Sequence, residues 1–353
     1  MLVSKFNYIL PKKLIANSPA ISRDHSRLMV IDRKTDKIAH HKFFEIEKYL
    51  GPNDILVLNK TKVFPARLFV NKVTGGKVEL LFLEEIKPGV WKALTHPGLK
   101  TGTNLAIKKH LFEIIGQEGM TAIVDTRLPK EKLMEILRIY GHTPIPPYIK
   151  PGQNESDLRR EYQTVYADKV GSVAAPTAGF HFTKPLLSKL KAKGVQIEYI
   201  TLHVGLGTFA PVKAKNIEDH PMHFEGYSID KKTAERLNEA KKKGKRIISV
   251  GTTSTRTLES VSGEKGLLNL KRLSGSTNIF IYPGYKFRFI DGLITNFHLP
   301  KSTLIALVSA FTSYPNTNKK FKNLKTSLIG KAYIEAIKEK YRFYSFGDAC
   351  FIF

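Results

Sequence analysis

Thiol chemistry is almost absent from this chain: Cys350 is its only cysteine in 353 residues. That excludes an intramolecular disulfide and any multi-cysteine zinc or iron–sulfur site within the chain, and it fits a reducing cytoplasm. No apolar run approaches the roughly 20 residues needed to cross a bilayer, so no membrane partner is expected. Met1 to Leu14 lacks the charged-then-apolar layout of a secretory signal, and export is not expected either. Internal repeats, low-complexity linkers and heptads are also missing. Acidic residues are scarce, with 31 Asp and Glu against 57 Lys and Arg. The resulting net charge is +26 and the pI is near 9.9.

Such a balance favours a polyanion partner, because lysines and arginines that meet phosphates release condensed counterions. Lysines outnumber arginines 43 to 14, a bias that compositional drift also produces. The runs Lys241–Arg246 and Lys319–Lys322 read individually as solvated faces. The length allows about two domains with a sizeable core.

The character of the chain changes near residues 65 and 150. Between them, Arg67–Val70, Lys77–Leu83, Trp91–Leu94 and Met120–Val124 read as short strands. Gly75-Gly76, Lys87-Pro88-Gly89 and Pro97-Gly98 punctuate them. This suggests a small barrel or sandwich, followed by a helix with Leu133, Ile136, Leu137 and Tyr140 on one face and Gly141 as its end. After residue 150 helices and strands alternate. Thr183 caps a helix carrying Leu186, Leu187 and Leu190 that stops at Gly194. Asp230 caps another that ends at Gly244. Val195–Leu202, Arg246–Gly251 and Asn278–Tyr282 read as strands, and Asp54–Leu58 joins them. The expectation is an α/β fold: a mixed-sheet α/β domain, residues 1–64 and 150–353, with an inserted small β-barrel-like domain at residues 65–149.

Three loops sit at strand or helix ends. Val250–Arg256 leaves a strand and opens a helix, where free amide hydrogens favour an anion or carboxylate. It lacks the glycine and lysine spacing of a phosphate-binding or dinucleotide fingerprint, and plain capping by Thr253 or Ser254 is the alternative. Thr201–Phe209 contains His203 and the pair Gly205 and Gly207, which let backbone approach a ligand closely. Ala174–Phe182 contains Thr177, Gly179 and His181. Three such loops point to one cleft at the strand carboxyl ends. Asp219–Glu225 places His220 and His223 beside two carboxylates. Metal ligation, acid–base work and a hydrogen-bonded turn all remain open for it. Before a long apolar helix through Leu304, Leu307, Val308 and Phe311, Asn296 and His298 stand out. The tail Tyr341–Ala349 suits base stacking or a closing strand.

In order, Asn59–Arg67, Pro146–Ile149, Glu161–Ala167, the three loops, Asp219–Glu225, Asn296–Pro300 and the tail resemble the S-adenosylmethionine:tRNA ribosyltransferase-isomerase family of queuosine biosynthesis. The resemblance spans almost the whole chain. Phe180 stands where leucine is usual, Leu206 where alanine is common and Cys350 where methionine is frequent. Residues 315–332 diverge and are richer in lysine.

The resemblance implies a ribosyl transfer. S-adenosylmethionine is consumed as ribosyl donor, no metal or redox cofactor is required, and adenine and methionine are released. The acceptor it implies is 7-aminomethyl-7-deazaguanine at wobble position 34 of tRNA with a GUN anticodon, giving epoxyqueuosine. A cytoplasmic monomer is expected. On this reading His220, His223 and Glu225, then His203 and His181, are the acid–base candidates. Thr177, Gly179, Gly205, Gly207, Thr208, Thr252, Thr253, Ser254, Asn296 and His298 are donor-site candidates, with Arg256 on the donor carboxylate. Arg67, Tyr148, Tyr162 and Arg342 are candidates for tRNA contact. Two rivals remain. An S-adenosylmethionine-dependent RNA methyltransferase should carry a glycine-rich loop after its first strand, and a non-catalytic RNA-binding module explains the charge but not the loops.

Overall fold

The computed structural model describes residues 1–146, 148–149, 154–205 and 212–353. The chain divides into two compact units. One comprises Met1–Thr61, Thr164–Asp168 and Pro176–Phe353; the other comprises Lys62–Gln163 and Lys169–Ala175.

Strands β1 (Arg27–Ile31), β2 (Ile38–Lys42), β3 (Asp54–Asn59) and β4 (Thr61–Val63) come first. Next are β5 (Arg67–Lys72), β6 (Lys77–Lys87), β7 (Val90–His96), β8 (Asn104–Ile107), β9 (His110–Glu118) and β10 (Thr121–Asp125). Helices α1 (Lys130–Tyr140) and α2 (Glu155–Glu161) precede β11 (Lys169–Ser172). Then come α3 (Lys184–Ala192), β12 (Gln196–Leu202), β13 (Glu225–Ser228), α4 (Lys231–Lys242), β14 (Arg246–Val250) and α5 (Gly251–Val261). The chain closes with β15 (Ser274–Thr277), β16 (Gly292–Asn296), α6 (Thr303–Phe311), α7 (Leu328–Lys338) and β17 (Ala349–Ile352).

In the first unit the described residues form a mixed nine-stranded sheet, ordered β15-β13-β12-β3-β14-β16-β17-β1-β2. Its centre, β12-β3-β14-β16, is parallel. Every residue of β3 is buried, as expected where helices cover both faces of a parallel sheet. One face packs Leu56, Leu58, Ile248 and Ile294 against Leu186, Leu187 and Leu190 of α3 and against Phe43 and Ile46. The Thr183 hydroxyl accepts from the Leu186 amide to start α3, and Gly194, at φ +87°, ends it in a conformation that favours glycine. Helix α5 packs on the sheet centre, touching β3, β12, β14 and β16.

The second unit contains a closed six-stranded barrel, β10-β7-β6-β5-β8-β9. Alternate residues point inward, among them Leu68, Val70, Leu80, Phe82, Trp91 and Phe112. Leu133, Ile136 and Leu137 of α1 are buried, but Tyr140, expected on the same face, is 40% exposed. Gly141 follows because a Cβ there would lie 2.2 Å from the Pro65 carbonyl oxygen.

Two expectations need correction. Helix α2, placed by the sequence reading in the α/β part, belongs to the barrel unit. Glu155 there receives the Thr143 amide and hydroxyl at 2.8 and 2.7 Å, and Arg159 donates to the Arg138 carbonyl at 2.7 Å. Asn278–Tyr282 is not a strand either; the strand is β15, just before it. The Ile279 carbonyl accepts from Arg256 Nε at 3.1 Å instead of joining a ladder.

Leu56 lies fully buried in the central strand. Leu56→Ala is expected to cost about 2–5 kcal/mol of stability, read from denaturant unfolding; a loss below about 1 kcal/mol would contradict this packing.

Candidate active site

Because β12, β3, β14 and β16 run parallel, their last residues lie along one edge of the sheet, where α/β proteins place ligands. Asn59 ends β3 and joins its neighbours there. Its amide nitrogen donates to the Leu202 carbonyl at 2.9 Å and to Thr253 Oγ1 at 3.3 Å. Its oxygen accepts from the Leu202 and Thr61 amides, both at 3.1 Å. Thr61 Oγ1 in turn is 2.8 Å from His203 Nδ1. The sequence reading did not select Asn59 or Thr61 as site residues, although both belong to the motif beginning at Asn59.

The strongest electrostatic feature of this edge is a buried ion pair. Glu225, at the start of β13, and Arg256, on α5, have side chains only 2% and 4% exposed. Arg256 Nη1 donates to Glu225 Oε2, and the Gly205 amide donates to Oε1 at 3.0 Å. Arg256 Nε is taken by Ile279, leaving Nη2 buried with no hydrogen-bond partner among the described residues. A buried charged group with one donor unmet is costly, by roughly 1–3 kcal/mol or more. Such a group calls for an acceptor, and none of the described residues supplies one. The Ser254 hydroxyl on the same helix is also buried with no partner among the described residues.

The histidines divide by environment. His181 Nδ1 lies 2.7 Å from Ser26 Oγ, and that hydroxyl donates to the Arg23 carbonyl at 3.0 Å. The proton between them therefore sits on Nδ1, and Nε2 accepts from Asn296 Nδ2 at 3.2 Å. Asn296 Oδ1 accepts from the Thr177 hydroxyl at 3.2 Å. The chain Thr177–Asn296–His181–Ser26 is satisfied with a neutral imidazole, which stacks on Phe43 at 5.0 Å. Burial, then the nearby Arg342 and Arg23 charges, push the His181 pKa down to about 3. Burial does the same to His298, whose Nε2 is 3.0 Å from Thr295 Oγ1. His220 is half-buried with its ring 5.6 Å from that of Phe280. Burial and the neighbouring His223 lower its pKa. His223 is exposed.

The segment from Asp219 to Glu225 thus does not act as one cluster. Glu225 turns inward to Arg256, while Asp219 accepts from Asn216 at 3.1 Å. No group of three or more metal-ligating side chains occurs among the described residues. Gly179 is needed where it is, since a Cβ would lie 2.0 Å from the Tyr166 hydroxyl. Thr252 is buried at the start of α5. Gly207 and Thr208 lie outside the described residues.

The tRNA candidates fall in both units. In the barrel unit Arg67 is half-buried, paired with Glu79 at 2.9 Å and donating to the Ile145 carbonyl at 3.2 Å. Tyr148 is half-buried. Tyr162 is a correction: it is fully buried, so its side chain offers no surface to a nucleic acid. In the α/β unit Arg342 is half-buried and donates to the Ser18 carbonyl at 3.3 Å.

Both deeply buried histidines titrate lower in the folded chain than in the unfolded one, so below about pH 6.5 the unfolded state binds more protons. Stability is full above about pH 6.5 and falls as pH drops toward 3, by up to about 1.4 kcal/mol per pH unit for each histidine. Unfolding free energies measured near neutrality and again one or two units lower should show a smaller acid loss in His298→Gln than in wild type. Equal losses would contradict the assignment.

Comparison with known proteins is consistent in every direction. A family profile described as "Queuosine biosynthesis protein" matches residues 3–352. A protein of Thermotoga petrophila is 48% identical over 361 residues, covering all of both chains. One of Clostridium kluyveri is 49% identical over 358 residues, again covering all of both. Both are named S-adenosylmethionine:tRNA ribosyltransferase-isomerase. The crystal structure of S-adenosylmethionine tRNA ribosyltransferase from Thermotoga maritima matches with a TM-score of 0.54 and 36% identity. That match covers 99% of this chain and 100% of the other. The chain belongs to the queuosine biosynthesis protein family.

Proposed function

We propose that this member of the family transfers and isomerises the ribosyl part of S-adenosylmethionine onto 7-aminomethyl-7-deazaguanine at position 34 of tRNA with a GUN anticodon. The product is epoxyqueuosine-tRNA, with release of adenine and methionine. Full-length identity near one half to enzymes of that name carries the reading. The ligand-competent sheet edge and the +26 charge support it. No helix among the described residues is long and apolar enough to cross a membrane, and we place the enzyme in the cytoplasm as a monomer.

The positive sulfur acidifies the ribose C5′ hydrogens, so a base begins the reaction by removing one. Adenine leaves, aided by protonation, and the aminomethyl nitrogen forms its bond to the sugar. Closure of the epoxide breaks the carbon–sulfur bond and expels methionine. Donor carbons, adenine and methionine are all accounted for without oxidant, reductant or metal. What the chain must provide is proton transfer and a site that holds three pieces in register.

The geometry suggests a division of labour. His181, neutral with both ring nitrogens engaged, and His298, neutral with Nε2 engaged, position the loops at the strand ends. His220, held neutral near physiological pH by burial and by His223, suits the base that takes the C5′ proton, with His203 and His223 next to consider. Glu225 is committed to Arg256 and orients it. Thr177, Asn296 and the start of α5 border the donor. Arg67, Tyr148 and Arg342, with surface lysines, approach the tRNA.

Incubation with S-adenosylmethionine and tRNA bearing the aminomethyl base is expected to yield free adenine and methionine. S-adenosylhomocysteine instead would show methyl transfer and overturn the reading. His220→Ala is expected to lower turnover by about 10²–10⁴-fold with little change in donor affinity; full turnover would remove His220 from proton transfer.

A further inference from the structure

We propose that the lysines gathered around residues 3–8, beside the carboxyl edge of the large sheet, form a track for the phosphodiester backbone of the tRNA. The proposal rests on the tRNA reading above and assigns the sequence-independent part of that recognition to named residues.

The patch consists of Lys5, Lys213, Lys215, Lys301, Lys320 and Lys322, all exposed. They come from stretches far apart in sequence, and residues 3–8 join those stretches. The Val3 amide donates to the Lys215 carbonyl at 3.0 Å, and the Lys301 amide donates to the Phe6 carbonyl at 3.1 Å. The Lys301 carbonyl in turn accepts from the Val212 amide at 3.2 Å. Phe6 is buried and stacks on Phe321 with ring centroids 5.0 Å apart, which draws the stretch carrying Lys320 and Lys322 to the same place. The Tyr8 hydroxyl donates to the His298 carbonyl, just past the end of β16, and so fixes the segment at the carboxyl edge.

None of these lysines enters an ion pair among the described residues. The residues outside the described ones include no Asp or Glu. Glu218 pairs with the Met1 amine, Asp219 accepts from Asn216 at 3.1 Å, and Asp36 pairs with Lys319, so these carboxylates have partners of their own. At the amino ends of the parallel strands, by contrast, Arg246 is paired with Asp54 at 2.6 Å and Lys189 with Glu47 at 2.7 Å. The run Lys319–Lys322, which reads alone as a solvated face, thus belongs to a larger surface of uncompensated positive charge.

Such a surface attracts a polyanion, and phosphates that meet it release their condensed counterions. Lysine is a point charge on a flexible stem. It can follow a run of phosphates, but it does not read base edges as a bidentate arginine does. Because the patch borders the sheet edge assigned to the reaction, the part of the tRNA it fits is the backbone flanking the reacting base.

Equilibrium binding of tRNA over a range of salt concentrations tests the track. The variant Lys5→Gln/Lys215→Gln/Lys301→Gln is compared with Lys191→Gln/Lys193→Gln/Lys242→Gln, whose exposed lysines lie at the amino ends of β12 and β14. The patch variant is expected to bind tRNA at least about tenfold more weakly, with the slope of log K against log salt reduced by roughly 2–3. The loss should be equal for tRNAs with GUN and with other anticodons, because phosphates carry no sequence. Affinity for S-adenosylmethionine should stay unchanged in both variants, and the second should bind tRNA within about twofold of wild type. Unchanged tRNA affinity in the patch variant, with adenine still released by the wild type, would overturn the track and leave ribosyl transfer standing. Equal losses in the two variants would overturn it too, since net charge rather than position would then be at work. Failure of the wild type to bind tRNA at all would overturn both.

Discussion

The buried pair between Glu225 and Arg256 is the constraint around which the sheet edge is organised. Removing two charges from water costs several kcal/mol per ion before any return from their attraction. A pair of this kind is poorly explained by stability alone. It joins the antiparallel strand β13 to the helix that follows β14, fixes the Gly205 amide, and draws the Ile279 carbonyl out of any ladder. Four stretches of chain far apart in sequence are thereby held at one point. Replacing either partner would leave the other charge buried and unpaired, which is more disruptive than never having had the pair.

A second, neutral network works beside it. Asn59 ties β3 to β12 and α5, and the chain from Thr177 through Asn296 and His181 to Ser26 ties the Thr177–His181 turn to β16 and to the chain before β1. Uncharged groups in a dry setting hold their geometry only when every donor meets an acceptor. In that setting a histidine is useful because it offers one donor and one acceptor at fixed angles. Its proton is not free for chemistry. The less buried histidines His220 and His223 keep that freedom. Position and proton transfer are thus assigned to different members of the same residue type, separated by burial.

Much of this was legible from local pattern. Thr183 and Asp230 cap helices as their spacing predicts, the run at Asp54 forms the central strand, and Val250–Arg256 turns from strand to helix. The mixed α/β sheet and the small barrel also follow from alternating and closely spaced patterns. What local pattern could not show is long-range. Glu225 and Arg256 are 31 residues apart, and Asn59 reaches partners 143 and 194 residues away. Nothing within a window of a dozen residues distinguishes such a glutamate from a solvated one. Tyr162 sits in a motif beside charged residues and reads as a surface aromatic, yet it is core. Asn278–Tyr282 has the composition of a strand, but Arg256 competes for its backbone.

The central claim is that this sheet edge moves a ribose and not a methyl group. The most direct test follows S-adenosylmethionine carrying one label in its ribose and a different label in its methyl group, with tRNA bearing the aminomethyl base as acceptor. The account predicts the ribose label in tRNA and the methyl label in free methionine. Methyl label in tRNA, with the ribose label left in a soluble nucleoside, would contradict it.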